Sequence, residues 1–142
     1  MANQYKRHKR TQTAPFTKLD RWVQRSEAWR ALKPGPRALY IELKAFFNGR
    51  NNGDLFLSHR DAAEALNVSK NTIGVYYAEL IEKGFIKPTQ AAHLGSEGKG
   101  EATHWALTEL ALNGREATKD FARWTPEKPK TRPKKRDTPV QK

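Results

Sequence analysis

One segment near the middle of the chain constrains the fold most, because it carries two helix starts in close succession. Ser58 followed by Asp61 is a capping-box pattern, and Ser69 is a second N-cap residue ahead of an amphipathic run. Only a tripeptide centred on Asn67 remains for a turn, and asparagine tolerates the left-handed conformation that a tight turn needs. We therefore predict two helices joined by a short turn, over residues 59–66 and 70–83.

The segments before this pair predict further helices and one short strand. Residues 20–32 have helical apolar spacing, with Ser26 as the cap of a second turn. Pro36 suits the first position of the next helix, since that position needs no N–H donor. This helix is expected to end at Asn48-Gly49 and to carry an apolar stripe of Leu39, Leu43, Phe46 and Phe47. A short strand is predicted over 55–57.

The segments after the helix pair predict a β-hairpin. Gly84 ends the second helix, Phe85-Ile86-Lys87 begins a strand, and the alternating residues of 103–110 form the returning strand. A glycine-rich loop joins the two strands. A last short helix is predicted over 117–124, capped by Thr118. The resulting fold class is mainly α with a small β-hairpin (α+β), in the element order of a winged helix-turn-helix.

Positive charge is concentrated at the two ends of the chain. The net charge is +12; residues 1–25 contribute +6 and residues 125–142 contribute +5, so the middle is nearly neutral. Both ends are poor in aliphatic side chains, which predicts disorder. We therefore divide the chain into a disordered basic arm, a winged helix-turn-helix domain and a disordered basic tail: 1–15, 16–124 and 125–142. The like-signed ends favour a polyanionic partner.

If that partner is duplex DNA, the residues that start each helix are the candidate contacts. The helix over 70–83 is the candidate recognition helix, because the N-terminal residues of such a helix reach base edges in the major groove. Asparagine pairs with adenine, lysine reaches guanine acceptors, and hydroxyl groups bind phosphate. The candidate residues are Ser58, Arg60, Ser69, Lys70, Asn71, Thr72, Gly74 and Val75.

Two other segments are candidate contacts to the DNA backbone or minor groove. The predicted wing spans 90–101 and carries His93 and Lys99, although its two glutamates would repel phosphate. In the N-terminal arm, Arg7 and Arg10 are placed to neutralise phosphates or to enter a minor groove. A solvated loop and a solvated arm are the competing interpretations of these segments.

The stretch RDAAEALNVSKNTIGVYYAELIEKGFI resembles the helix-turn-helix of winged-helix regulators. With AWRAL, NNGDLFLS, THWALT and ATKDFARW, the chain is similar over about residues 16–124 to a family of winged-helix proteins coded by prophages and plasmids. This resemblance implies a DNA-binding fold, with some replication-initiator-like members. Many winged helices carry Arg or Lys in the middle of the recognition helix, where this chain has Gly74 and Val75.

The sequence lacks the patterns of several other classes of protein. It has no cysteine, and its four histidines have no metal-ligand spacing, so we expect no metal, no cofactor and no catalytic residue. No apolar run approaches the roughly 20 residues of a membrane span. The expectation is a non-enzymatic cytoplasmic protein associated with the nucleoid.

Three functions remain open from the sequence. The first is a sequence-specific transcriptional regulator that binds double-stranded DNA. The second is a replication-initiation or partition factor that uses the same fold and recruits other replication or transcription proteins. The third is a winged-helix module for protein interactions, which the Gly74 and Val75 positions keep open. A homodimer is compatible with each, and the helices within 20–47 are the surface we would expect it to use.

Overall fold

The computed structural model describes residues 14–90, 93–94, 100–101 and 103–126. The described part is a mixed α+β structure, as predicted, and most of the basic arm and tail lie outside it. Its helices are α1 (Arg21–Gln24), α2 (Glu27–Ala31), α3 (Pro34–Lys44), α4 (His59–Leu66), α5 (Lys70–Glu82) and a final 3₁₀ helix (Asp120–Arg123). Its strands are β1 (Ile86–Gln90), β2 (His93–Leu94), β3 (Gly100–Glu101) and β4 (His104–Leu107).

The strands form an antiparallel hairpin. β1 pairs with β4, with Ile86 opposite Leu107, and β2 pairs with β3 further from the core. The predicted strand over 55–57 is reduced to one bridge, in which Leu55 and Trp105 exchange backbone hydrogen bonds of 3.2 and 2.8 Å. Through this bridge, the segment before α4 is attached to the hairpin that follows α5.

The helices before residue 50 differ in their bounds from the sequence-based prediction. Ser26 caps α2 as predicted, since its side chain accepts a hydrogen bond from the Trp29 N–H. α3 begins at Pro34, so the placement of Pro36 at the first helical position was wrong. Pro36 is the third helical residue, where the N–H is also without an intrahelical acceptor, so both prolines fit the first turn.

α3 also ends earlier than predicted, at Lys44. Asparagine side chains explain the difference, because they bind the backbone that would otherwise extend the helix. The Asn51 amide donates to the Phe46 carbonyl at 2.9 Å, and Asn48 accepts from the Asn51 N–H at 3.1 Å. As a result, Phe46 is 52% exposed and does not continue the buried stripe.

An aromatic cluster forms the centre of the core. The Tyr40 ring lies edge-on to both Trp29 and Phe85, with centroids 5.6 Å apart in each case. Phe121 of the 3₁₀ helix stacks on Phe85 at 4.9 Å, so this helix closes the core. The cap of this helix is Lys119 in a left-handed conformation (φ 50°), and the assignment of that role to Thr118 was wrong. The Thr108 carbonyl accepts from the Lys119 N–H at 2.8 Å and fixes the turn there.

Asn52 joins the loop after α3 to the end of β4. Its buried side-chain amide donates to the carbonyls of Leu107, Leu110 and Ala111 at 3.0–3.2 Å. Its oxygen accepts from the Leu107 N–H at 2.7 Å. With its two N–H hydrogens shared among three carbonyls, one side chain therefore binds four backbone groups that are more than 50 residues away in the sequence.

An ion pair and a tyrosine hydroxyl are buried together between α3 and the segment after β4. Lys44 Nζ lies 2.7 Å from Glu109 Oε1, and both side chains are almost fully buried. The Tyr40 hydroxyl donates to the same carboxylate oxygen. Burial raises the pKa of Tyr40 well above its ordinary value, and the Glu109 charge and hydrogen bond raise it further. Because the lysine, the carboxylate and the phenol satisfy one another, the group fixes α3 against the hairpin.

Candidate nucleic-acid interface

The α4–turn–α5 unit has the capped geometry that the sequence predicts. Ser58 accepts from the Asp61 N–H at 3.0 Å, and Ser69 accepts from the Thr72 N–H at 3.2 Å. Asn67 adopts the left-handed conformation, with φ 56° and ψ 49°. The chain reverses within three residues, so the N-terminus of α5 follows closely after the C-terminus of α4.

One side of α5 is fixed to the core. Ile73, Tyr77 and Leu80 are buried, and the Tyr77 hydroxyl donates to the Leu57 carbonyl at 2.8 Å. The Tyr77 ring lies parallel to Trp105 of β4, with centroids 4.9 Å apart. Burial raises the pKa of Tyr77 well above its ordinary range, so the phenol stays neutral and keeps this hydrogen bond.

The opposite side of α5 faces solvent. Positions four and three residues apart share a face of an α-helix, so the exposed residues at i, i+4, i+7 and i+11 form one stripe. We call this the outer stripe of α5; it consists of Asn71, Val75, Ala78 and Glu82. Val75 is 64% exposed, an unusual position for a branched apolar side chain on an amphipathic helix. The outer stripe thus changes from an amide through apolar groups to a carboxylate.

The other predicted contacts on this unit lie around the N-terminus of each helix. Lys70 and Arg60 are exposed. Gly74 lies beside His59, and a Cβ at this position would stand 3.9 Å from the imidazole, an ordinary van der Waals distance. The hydroxyls of Ser69 and Thr72 lie 2.8 Å apart and bind each other. Together with the Ser58 hydroxyl, they serve first as local hydrogen-bonding groups of the helix starts.

The predicted contacts on the wing and the arm are located only in part. The backbone of His93 lies in β2, where it pairs with Glu101 of β3. Lys99 lies outside the described residues, as do Arg7 and Arg10. The structure therefore brings together the α4 and α5 residues of the predicted site and leaves the wing and arm residues as predictions.

Charge divides α5 into two halves. The segment 58–83 carries three basic and four acidic side chains, so it has little net attraction for a polyanion. In α5 the acids lie in the C-terminal half, at Glu79 and Glu82, whereas Lys70 is near the N-terminus. Glu79 pairs with Lys83 at 3.3 Å. The N-terminal half of α5 is consequently the half that is suited to approach a phosphate backbone.

Sequence reasoning missed a polar and aromatic cluster between β4 and the segment before α4. His104 Nδ1 lies 2.6 Å from Asp54 Oδ1, and the imidazole lies against the Phe56 ring with centroids 5.8 Å apart. His59 similarly stacks on Tyr77 at 5.3 Å. The alternation of Leu55, Phe56 and Leu57 was the available signal, since Phe56 at the middle position must face away from the core.

Within the described residues, no group of three or more metal-ligating side chains comes together. Nor is any helix in this part long and apolar enough to cross a bilayer. Comparisons of the chain with protein-family models, with curated proteins and with solved structures give no match. The features of the molecule that bear on function are therefore the geometry and chemistry of the α4–turn–α5 unit and the charge of the chain ends.

Proposed function

We propose that this protein is a sequence-specific binder of double-stranded DNA with a winged helix-turn-helix fold, and that it regulates transcription. In this proposal, α5 is the recognition helix and enters the major groove with its N-terminal half. The wing over 90–101 and the basic ends contact the backbone or the minor groove. In this proposal, the protein is not an enzyme and needs no cofactor.

The observation that carries the proposal is the two-sided environment of α5. One face is held by Tyr77 against Trp105 and Leu57, whereas Asn71 and Val75 on the other face have no covering element in the described chain. A recognition helix needs this combination, because base reading requires free side chains on a rigidly placed backbone. The left-handed turn at Asn67 supports the same interpretation, since it lets α4 pack behind α5.

In this proposal, the distribution of charge gives the α4–turn–α5 unit and the chain ends different roles in DNA binding. The α4–turn–α5 unit supplies chemistry for base edges but little net charge, as described above. Residues 1–15 supply +4 and residues 125–142 supply +5, which release counterions from DNA and give affinity independent of sequence. The proposal therefore assigns affinity mainly to the ends and specificity mainly to α5.

Selection from a random duplex library tests this proposal. The full-length protein is incubated with the library near physiological salt, and the bound duplexes are sequenced. We expect an enriched motif, and a two-fold motif would indicate that a homodimer binds. Strong salt-sensitive binding without any enriched motif would contradict sequence-specific recognition.

A second candidate function is a protein-interaction module. Val75, Ala78 and Ile81 are exposed apolar positions on α5, and Glu79 and Glu82 border them. Such a surface is better suited to bind a protein partner than to bind a phosphate backbone. Absence of any duplex affinity beyond that of the basic ends would favour this candidate.

A replication or partition factor would share the DNA-binding mode, and iterated sites at an origin would distinguish it from a regulator.

A further inference from the structure

We infer that the DNA target of α5 contains adjacent or near-adjacent A·T pairs, with an adenine read by Asn71 and a thymine methyl group read by Val75. This inference rests on the proposed function and specifies the class of sequence that it recognises. It follows from what the outer stripe of α5 offers to a base edge and from what it lacks.

Asn71 is free to make a bidentate contact. Its side chain is exposed and makes no hydrogen bond to the described residues. An amide offers one donor and one acceptor side by side, which matches N7 and the N6 amino group of adenine in the major groove. Guanine presents two acceptors at the same place, so the amide oxygen would face an acceptor there. The free amide therefore favours an A·T pair.

Val75 has no polar atom with which to read a base, but it has exposed methyl groups. The thymine C5-methyl is the apolar group that a base pair presents in the major groove. Val75 is 64% exposed, so most of its apolar surface is available to be buried against a base. The neighbouring Gly74 and Ala78 carry no long side chain, so the Val75 methyl groups can reach the groove floor.

The spacing of the two residues limits how far apart their bases can lie. Four residues of α-helix rise about 6 Å, and successive base pairs are stacked about 3.4 Å apart. A helix that is inclined in the groove spans less than its full rise along the DNA axis. The two contacts therefore fall on the same base pair step or at most about two base pairs apart.

The far end of the outer stripe sets the limit of the contact. Glu82 lies seven residues beyond Val75, which is about 10 Å along the helix. A carboxylate this close to phosphates would be repelled, so α5 must leave the groove between Ala78 and Glu82. Asn71 and Val75 are then the two side chains of the outer stripe that remain for specific readout.

Base analogues in the selected duplex test the inference with the full-length protein. Each thymine of the enriched motif is replaced in turn by deoxyuridine, which removes only the methyl group. For the unaltered protein we expect one replacement to weaken binding about fourfold, as the loss of one buried methyl contact does. For Val75→Ala the same replacement should have a clearly smaller effect, because the shorter side chain reaches the methyl group less well. Ile81→Ala, which removes an exposed apolar side chain away from the outer stripe, should keep the fourfold effect.

A second set of duplexes tests Asn71. Replacement of one adenine by 7-deazaadenine removes the N7 acceptor, and we expect it to weaken binding of the unaltered protein but not of Asn71→Ala. Asn71→Ala itself should lose on the order of tenfold in affinity for the motif. If duplex binding and its motif persist while neither analogue discriminates between protein and variant, the inference is overturned and the proposed function stands. If the protein selects no motif, both are overturned.

Discussion

The ring of Tyr77 lies flat on the ring of Trp105, with centroids 4.9 Å and planes 7° apart. This stack joins the middle of α5 to β4, so the orientation of the helix and that of the hairpin are coupled. The hydrogen bond from the Tyr77 hydroxyl to the Leu57 carbonyl attaches the same ring to the segment before α4. In the proposed function, this one side chain places the recognition helix relative to the wing.

Two substitutions of Tyr77 are therefore expected to separate the contribution of its hydrogen bond to stability from that of its ring. Tyr77→Phe removes the hydrogen bond alone and should lower the free energy of unfolding by about 1 kcal/mol. Tyr77→Ala removes the stack as well and should lower it by about 4 kcal/mol. Urea unfolding of the two variants measures both. Equal losses would show that the stack contributes nothing.

Gly74→Ala is expected to move stability and DNA affinity in opposite directions. The added methyl group meets only the His59 ring at 3.9 Å, and alanine is favoured over glycine in a helix interior by about 1 kcal/mol. The melting temperature should therefore rise. If α5 lies deep in the groove, the same methyl group crowds the DNA, and affinity for the selected duplex should fall several-fold. Unchanged affinity would indicate that this face of α5 does not approach the groove floor.

Asn52→Ala is expected to destabilise the fold severely for a substitution in a loop. The variant leaves the Leu110 and Ala111 carbonyls and the Leu107 N–H without the Asn52 side chain that binds them, which should lower the free energy of unfolding by about 3 kcal/mol. Asn71→Ala is the matched control, because its side chain makes no hydrogen bond to the described residues and should change stability by less than about 0.5 kcal/mol. Chemical denaturation of both variants gives the comparison. Similar values for the two would refute the role given to Asn52.

Asp120 is expected to make stability depend on acidic pH. Its partial burial would raise the pKa of the carboxyl, but hydrogen bonds from Lys87 and Thr118 and the charges of Lys87 and Arg123 outweigh burial and lower the pKa. A lowered pKa in the folded state means that the carboxylate stabilises the fold above its ordinary pKa of 3.8, and that this stabilisation is lost as the pH falls through the folded value.

The variant Asp120→Asn checks this dependence. At pH 7 it should be less stable than the unaltered protein, and the difference should shrink as the pH falls below about 4. Thermal unfolding at a series of pH values measures the difference. A difference that stays constant down to pH 2 would exclude the ion pairs as its cause.

Local patterns account for what the sequence could predict. The caps at Ser26, Ser58 and Ser69 and the left-handed turn at Asn67 depend on neighbouring residues, and the structure confirms all four. Gly84 is another such case, since it ends α5 in the left-handed conformation, with a φ of 81°, that glycine adopts without steric cost.

The features that the sequence could not predict depend on distant partners. Asn52 and Lys44 find theirs more than 50 residues away, at the end of β4 and at Glu109, and no periodicity within one element reports such a pairing. The early end of α3 depends on asparagines beyond its last turn. For the candidate site, the cap at Ser69 predicted which residues lie at the N-terminus of α5, whereas the attachment of Tyr77 to Trp105 required the folded chain.

The central claim is that the N-terminal half of α5 contacts DNA, and charge reversal at Lys70 tests it most directly. Affinity for the selected duplex is measured by fluorescence anisotropy over a range of salt concentrations, with Lys70→Glu and Arg50→Glu compared. Both variants change the net charge equally, and Arg50 is an exposed residue outside the α4–turn–α5 unit, the wing and the basic ends. We predict at least about a tenfold loss and a smaller salt dependence for Lys70→Glu, with a clearly smaller loss for Arg50→Glu. Equal affinities for the two variants would contradict the claim and would favour a protein partner for α5.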